Sequence, residues 1–504
     1  MAVLRPGPGD RSAPAAVAET HISVVTFVGD RAYKLKKPVD LGFLDFSTVA
    51  RRREACQREV ELNRRLAPDV YLGVLDVVDG DEVVDHLVAM RRMPAHRRLA
   101  TLVADRAEGV ASCVDAVAER IGAFHAGAER SATIDAAGSP EAVARHWEDD
   151  VEAMAPFVGD VLDPQTFDRV TERFRRFLAG RSGLLEGRVA DGRIVDGHGD
   201  LQAADVFCEA DGPRILDCIE FDDGLRHGDV LADIGFLAMD LERLGAPDLA
   251  DRLVHRWAAA AGPHGGDLPR ALLHHYVAYR AHVRCKVACL RWSQEASEDP
   301  SRAGAADEAR SLLALCDRHL DAARVRLVLV GGAPGTGKST VAAGLAEATG
   351  WDVLRSDVVR KELAGLAPTD RSAAAPVGEG LYRAEVGDAT YAELLARAED
   401  LLARGRSVVL DASWSSAAHR GRARDLADRA VADLVELRCE LAPDLVAQRI
   451  AAREALGRDA SDADATVAAA LAAAADPWPE AAVVDTSGAA GDAVAVVRGI
   501  VGPA

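Results

Sequence analysis

Residues 324–341 read RVRLVLVGGAPGTGKSTV. The first part is an unbroken run of strand formers, the pattern of a parallel strand buried on both faces. It runs directly into Gly332-Ala333-Pro334-Gly335-Thr336-Gly337-Lys338-Ser339, which fills every fixed position of GxxxxGK[ST]. Thr340 follows, inside a helical stretch that ends at Gly350. A strand, a glycine loop and a helix in that order make an anion cradle. The glycines let backbone N–H groups curl around phosphate oxygens, and the helix N-terminus adds its dipole. Lys338 is placed to meet the β- and γ-phosphates of a nucleotide, and the Ser339 hydroxyl to meet Mg²⁺.

Beyond the loop the chain alternates strand and helix: SVVLDAS at 407–413, then LVELRCEL at 434–441, each followed by helical sequence. This predicts a doubly wound parallel α/β domain over 324–504. Asp411 ends the first of these strands, where a carboxylate reaches a metal or its water shell; a helix-capping role fits it equally. After the second strand comes Arg355-Ser356-Asp357-Val358-Val359-Arg360-Lys361. The helix APDLVAQRIAAREALGRD sets Arg449 and Arg453 four residues apart on one face.

On these residues the domain resembles the P-loop kinases that include gluconate kinases, zeta toxins, chloramphenicol phosphotransferases and polynucleotide kinases. The resemblance implies that Asp357 takes the acceptor hydroxyl's proton and that Arg360 grips substrate or phosphate. It also implies that Arg449 and Arg453 belong to a lid closing over the transferring phosphate. The residue-level alternatives are a capping Asp357 and a solvated arginine face.

Upstream, residues 1–18 are rich in Pro, Gly and Ala and read as a disordered lead-in. The run ETHISVVTFVGDRAYKLKKPV from Glu19 reads as a hairpin turning at Gly29-Asp30. Residues 48–66 read as an exposed amphipathic helix with a thin stripe of Ala55, Val60 and Leu62. A strand pair follows, VYLGVLDVVDG and EVVDHLVAMRRM. Residues 97–190 read as helical, with Val114, Val117, Ile121 and Phe124 on the buried face. Strand character returns at 194–221 and helices run from there to about 323.

Within 194–221 stand His198-Gly199-Asp200-Leu201, then Asp205, then Asp217-Cys218-Ile219-Glu220-Phe221. One carboxylate on a loop, with others beyond a strand pair, suits an orienting base beside a metal site. This resembles the aminoglycoside phosphotransferase family, which has the two-lobed protein-kinase fold. The resemblance implies that Asp200 is the catalytic base and that Asp205 fills a metal-binding Asn slot. Asp217 or Glu220 would be the second metal ligand. Lys34 or Lys36 would hold ATP phosphates, Glu59 would pair with that lysine, and Met90 to Pro94 would form the hinge against adenine. Asp233 resembles a buried carboxylate that braces the catalytic loop in these kinases; a solvated helix residue fits it equally. The sequence departs from the family at Gln202, where a second His is usual, and at Asp205. No GxGxxG loop precedes the YKLKK strand, and too few residues stand upstream for a full extra hairpin.

The two halves together resemble bacterial two-domain proteins that join an aminoglycoside-phosphotransferase-like unit to a P-loop ATPase. They predict an ATP- and Mg²⁺-dependent phosphotransferase acting on a hydroxyl of a small molecule, sugar or aminoglycoside-like. Alternatively the first half is a non-catalytic binding or sensing module. Acceptor specificity would lie in 97–190 and 361–400. With 80 acidic against 60 basic residues the net charge is −20, which disfavours nucleic acid and anionic membranes as partners. Eight cysteines with no CxxC pair, no signal-type leader and no long apolar run predict a reduced cytoplasmic protein without zinc.

Overall fold

The computed structural model describes residues 16–19, 22–40, 44–261, 268–296, 299–367, 380, 383–456 and 473–502. The chain forms two compact units. The first takes Met1–Phe167, Leu185–Leu268 and Tyr276–Cys316. The second takes Asp168–Leu184, Pro269–His275 and Asp317–Ala504, so it draws two helical pieces from ahead of residue 323.

The first unit opens with a five-stranded antiparallel sheet in the order β1 (Ala16–Glu19), β2 (Ser23–Val28), β3 (Arg31–Lys36), β5 (Glu82–Arg91) and β4 (Tyr71–Asp79). The predicted hairpin is β2–β3, turning at Gly29-Asp30. Two expectations need correction here. Residues 16–18 are not part of a disordered lead-in, because Ala16–Glu19 pairs with Val24–Phe27. An extra strand pair therefore does fit ahead of the YKLKK strand.

Helix α1 (Val49–Asn63) is capped by the Thr48 hydroxyl and packs on this sheet. It is more deeply buried than its sequence suggests, since Arg52, Glu59 and Asn63 are inside together with Ala55, Cys56, Val60 and Leu62. Each polar member has a partner. Arg52 bonds the Asp85 carboxylate at 2.9 Å, and the Asn63 carboxamide accepts the Cys218 N–H at 2.9 Å. Burial without such partners would cost several kcal/mol for a charge.

Next along the chain come α2 (Leu99–Ala104), α3 (Val110–Gly127), α4 (Ala132–Asp135), α5 (Pro140–Met154), α6 (Pro164–Gly180), which lies mostly in the second unit, and α7 (Ser182–Ala190). On α3 the buried face holds Val114, Val117, Ile121 and His125; Phe124 lies beside it, beneath the Arg65 guanidinium. Short strands β6 (Ile194–Asp196), β7 (Val206–Glu209), β8 (Gly212–Ile215) and β9 (His227–Asp229) pair as β6–β9 and β7–β8. Then come α8 (Val230–Arg243), α9 (Pro247–Ala260), α10 (Arg270–Gln294) and α11 (Pro300–Ala322). A five-stranded sheet with one helix, followed by a largely helical body, is the two-lobed kinase-like fold.

The second unit is a parallel sheet, β10 (Arg326–Gly331), β11 (Asp352–Arg355), β12 (Val408–Asp411), β13 (Asp433–Glu440) and β14 (Ala482–Asp485), in the order β11-β12-β10-β13-β14. Its helices are α12 (Lys338–Thr349), α13 (Ser356–Leu363), α14 (Ala384–Ala403), α15 (Ala417–Arg429), α16 (Pro443–Leu456) and α17 (Ala490–Val501). On one face Val341 and Leu345 of α12 and Val497 of α17 close over Val328, Val330, Val409 and Leu437. Helices α14 and α15 pack against β12 and β13 respectively. Because chain order reverses about β10, a crevice opens at its carboxyl end. The Gly-rich loop sits there.

Candidate functional sites

In the second unit the loop between β10 and α12 takes left-handed backbone at Gly332, Gly335 and Gly337. At Gly332, with φ 128°, a Cβ would lie 2.5 Å from the Cys439 carbonyl oxygen, so only glycine fits. The Thr486 hydroxyl donates to the Thr336 carbonyl at 2.6 Å and ties the loop to the end of β14. A cavity of about 640 Å³ opens at this loop. Lys338 and Ser339 line it, together with Asp411, Asp357, Arg360 and Arg449.

Lys338 Nζ donates to the Ala333 carbonyl at 2.9 Å. Arg360 donates to Asp357 at 2.6 Å, Asp357 standing in the first turn of α13 just after β11 and Arg360 in its last turn. Arg449 reaches back from α16 to the Thr486 carbonyl at 2.7 Å, over the start of α12. The side chain of Arg453 lies outside the described residues, as does part of the 361–400 segment. Asp411 is buried, which raises its carboxyl above the usual range against the pull of Lys338.

One residue that the sequence did not single out stands among them. Arg355 donates from Nε to Asp411 at 3.1 Å and from Nη2 to the Ser339 hydroxyl at 3.2 Å. Arg355 and Asp411 are register partners on neighbouring parallel strands, which puts them on the same face of the sheet. Only the strand order reveals that pairing.

In the first unit the second constellation also assembles. Lys34 lies 2.9 Å from one Glu59 oxygen and 2.7 Å from Asp217. Lys36 lies 2.7 Å from the other Glu59 oxygen and is hydrogen-bonded to Glu220. Both lysines therefore share one glutamate, as their i, i+2 placement on a strand allows. Burial alone would favour neutral lysines, but the carboxylates outweigh it and hold both lysines above their ordinary range. Burial likewise pushes Glu59 up, and Lys34 and Lys36 pull it below the usual carboxylate range.

Asp217 and Glu220 part company here. The charge of Lys34 draws Asp217 downward, and Asp217 in turn raises Asp205. Asp205 is lifted well above the ordinary range by burial first, then by Asp217 and Asp200. Burial raises Asp200 too, with Arg284 and Arg280 opposing, and Gln202 donates to it at 2.9 Å. Glu220 is tied to buried Lys36 instead. Met90 is buried in the sheet, with Ala32 and Tyr71 as register partners, so its side chain belongs to the apolar core; the chain leaves the sheet after Arg91.

The loop that carries Asp200 is braced from α8. Asp233 accepts the backbone N–H of His198 at 2.6 Å and of Gly199 at 2.9 Å. Asp240, also unread in the sequence, accepts that of Ala203 at 2.9 Å. His125 Nε2 faces Asp233 at 3.3 Å, while its Nδ1 accepts the Trp257 indole N–H at 3.0 Å. An indole can only donate, so His125 carries its proton on Nε2.

Both sites offer hard oxygen donors of the kind Mg²⁺ takes, one or two carboxylates to be completed by phosphate and water. In the second unit the Ser339 hydroxyl and Asp411 lie close enough to share one guanidinium. In the first, the charges of Asp217 and Asp200 raise the proton affinity of Asp205, and Asp217 raises that of Asp200, which a cation would relieve. These donor sets fit the ion. Among the described residues no group of three or more His, Cys, Asp or Glu forms a closed protein-only metal site, and no helix is long and apolar enough to cross a membrane.

Residues 327–478 match the family model described as an AAA domain. Among solved structures, a choline/ethanolamine kinase family protein from Mesorhizobium loti covers 62% of this chain and 92% of its own, at 16% identity and a TM-score of 0.40. The GDP and kanamycin complex of APH(2")-IIia covers 62% and 94%, at 15% identity and a TM-score of 0.38. A gluconokinase from Sinorhizobium meliloti 1021 covers 35% and 91%, at 20% identity and a TM-score of 0.25. Over 479 residues the chain is 42% identical to Rv2004c of Mycobacterium tuberculosis (strain ATCC 25618 / H37Rv), spanning 94% of this chain and 92% of that one. The same figures hold for Mb2027c of Mycobacterium bovis. With that identity over nearly the whole length of both, this chain, a kinase-like unit joined to a P-loop unit, belongs to the family of Rv2004c and Mb2027c.

Proposed function

We propose that the protein is an ATP- and Mg²⁺-dependent phosphotransferase that moves the γ-phosphoryl group onto a hydroxyl of a small molecule, sugar or aminoglycoside-like. The observation that carries this reading is the shared cavity of the second unit, where the phosphate loop and the Asp357–Arg360 pair face one space. In the transfer the acceptor oxygen bonds to the γ-phosphorus, the bond to the ADP oxygen breaks, and the hydroxyl proton passes to Asp357. Lys338, Arg360 and Arg449 meet the phosphate charge, and catalysis is chiefly positioning and neutralisation. Ser339 and Asp411 would hold Mg²⁺, which supplies charge neutralisation when bound.

The first unit supplies a second kinase-type site, with Asp200 as base, Lys34 toward phosphate, and Asp205 and Asp217 toward metal. A second reading makes this unit a non-catalytic binding or sensing module. It is favoured by the sequence ahead of the YKLKK strand, which carries no GxGxxG motif of the kind a phosphate-covering loop would need. Separate Asp200→Ala and Lys338→Ala variants, assayed for ATP consumption and product formation over an acceptor panel, decide between them. Loss of distinct activities in the two variants supports two transfer sites. If Asp200→Ala leaves all phosphorylation intact while Lys338→Ala abolishes it, the first unit is not a kinase.

A further inference from the structure

The Arg355 guanidinium stands between the two oxygens that the proposed reading assigns to Mg²⁺. It reaches Asp411 at 3.1 Å and Ser339 at 3.2 Å from different nitrogens of one planar fork. The arrangement is built in by the fold. Arg355 ends β11 opposite Asp411 at the end of β12, and Ser339 lies in the first turn of α12. Asp411 is buried, so its charge needs a cation close by. Lys338 is the other cation whose charge is felt at Asp411.

We infer that Arg355 is a positioning residue that serves as the internal counter-ion of this site, competing with divalent metal for Ser339 and Asp411, so that metal enters only together with nucleotide. The inference rests on the metal assignment above. Its physics is charge balance. A divalent ion beside Asp411 without phosphate would meet the guanidinium and the Lys338 ammonium within a few ångströms, in a partly desolvated crevice where repulsion is strong. A nucleotide's polyphosphate reverses the balance, giving Arg355 new oxygens to pair with and the metal its remaining ligands.

The test uses full-length protein and Mn²⁺ as the probe, with free aquo-Mn²⁺ followed by electron paramagnetic resonance. Wild type, Arg355→Gln and the double variant Arg355→Gln/Asp411→Asn are titrated without nucleotide, then with ADP. Without nucleotide, Arg355→Gln should bind Mn²⁺ about tenfold or more tightly at one site than wild type. That gain should vanish in the double variant and shrink when ADP is present. Equal nucleotide-free uptake by Arg355→Gln and wild type overturns the inference, as does a gain that survives Asp411→Asn. Arg355→Met carries the same readout should the Gln variant not fold. The metal assignment has its own control: wild type with ADP should show an Mn²⁺ site that Asp411→Asn abolishes. If that site is missing, the earlier reading fails. If it is present and Arg355→Gln gains nothing, only the counter-ion role falls.

Discussion

Lys36 and Glu59 form an ion pair of 2.7 Å from which water is almost wholly excluded, the side chains being 1% and 0% exposed. Lys34, one alternation away on the same strand and 12% exposed, pairs with the same glutamate and with half-exposed Asp217. The two lysines thus divide into one wholly buried and one that reaches the half-exposed Asp217.

Replacing Lys36 by Met leaves Glu59 short of one cation and Glu220 without its partner, a loss of about 3–5 kcal/mol by analogy with broken buried pairs. Lys34→Met should cost less stability and more nucleotide affinity in the first unit. Urea unfolding of both variants, with nucleotide titration under native conditions, checks the division. Equal destabilisation by the two would contradict it.

Asp233 sets an acid limit. Burial alone would raise its carboxyl, but the His125 contact and the N–H bonds of the loop hold it well below the usual range. A depressed folded-state value contributes stability that is complete above the unfolded value of about 3.9 and is lost as pH falls further. Asp233→Asn should therefore flatten the acid limb of a stability–pH curve below about pH 4 while leaving the protein less stable at pH 7. The measurement is chemical denaturation from pH 3 to pH 8; an unchanged acid limb would refute the assignment.

Gly332→Ala places a methyl group against the Cys439 carbonyl in backbone that disfavours side chains. The strain is about 1–3 kcal/mol before any overlap is counted. The expected result is nucleotide binding weakened at least about tenfold, with circular dichroism near that of wild type. Wild-type affinity in this variant would mean that the loop is not held as described.

The cysteines offer a check on packing. Burial pushes the thiols of Cys56, Cys208 and Cys218 up to about 12 and that of Cys439 to about 11. Thiolate is the reactive form, so iodoacetamide at pH 8 should leave these four unmodified until the protein unfolds. Cys113, which is not fully buried, should be labelled first. Peptide mass spectrometry reads the order, and native-state labelling of Cys56 or Cys218 would be the contrary outcome.

The phosphate loop was legible because strand, glycines and helix are contiguous, and every one of its constraints is local. The same holds for Asp200 and its neighbours as a pattern. Helix α1 misled because its buried polar residues are satisfied by partners far along the chain: Arg52 by Asp85, Glu59 by two lysines of β3, and Asn63 by Cys218. No short window of sequence contains those pairs, and only the Glu59–lysine pair was implied by the family resemblance. Arg355 escaped for a related reason, since its partner is set by the order of parallel strands, which spacing does not encode. The strand at Ala16–Glu19 was hidden by its Pro- and Gly-rich surroundings and exists through its pairing with β2.

Asp233 and Asp240 stand seven residues apart on α8, close to two turns and about 10 Å of rise. Together they clamp both ends of the segment from His198 to Ala203. The helix therefore acts as a ruler for the loop. Deleting one residue between the two carboxylates would swing Asp240 through about 100° and off the clamping face. Lengthening the loop by one residue would strand one end of it in the same way. Neither segment therefore tolerates a one-residue change in length without losing one of its two clamps.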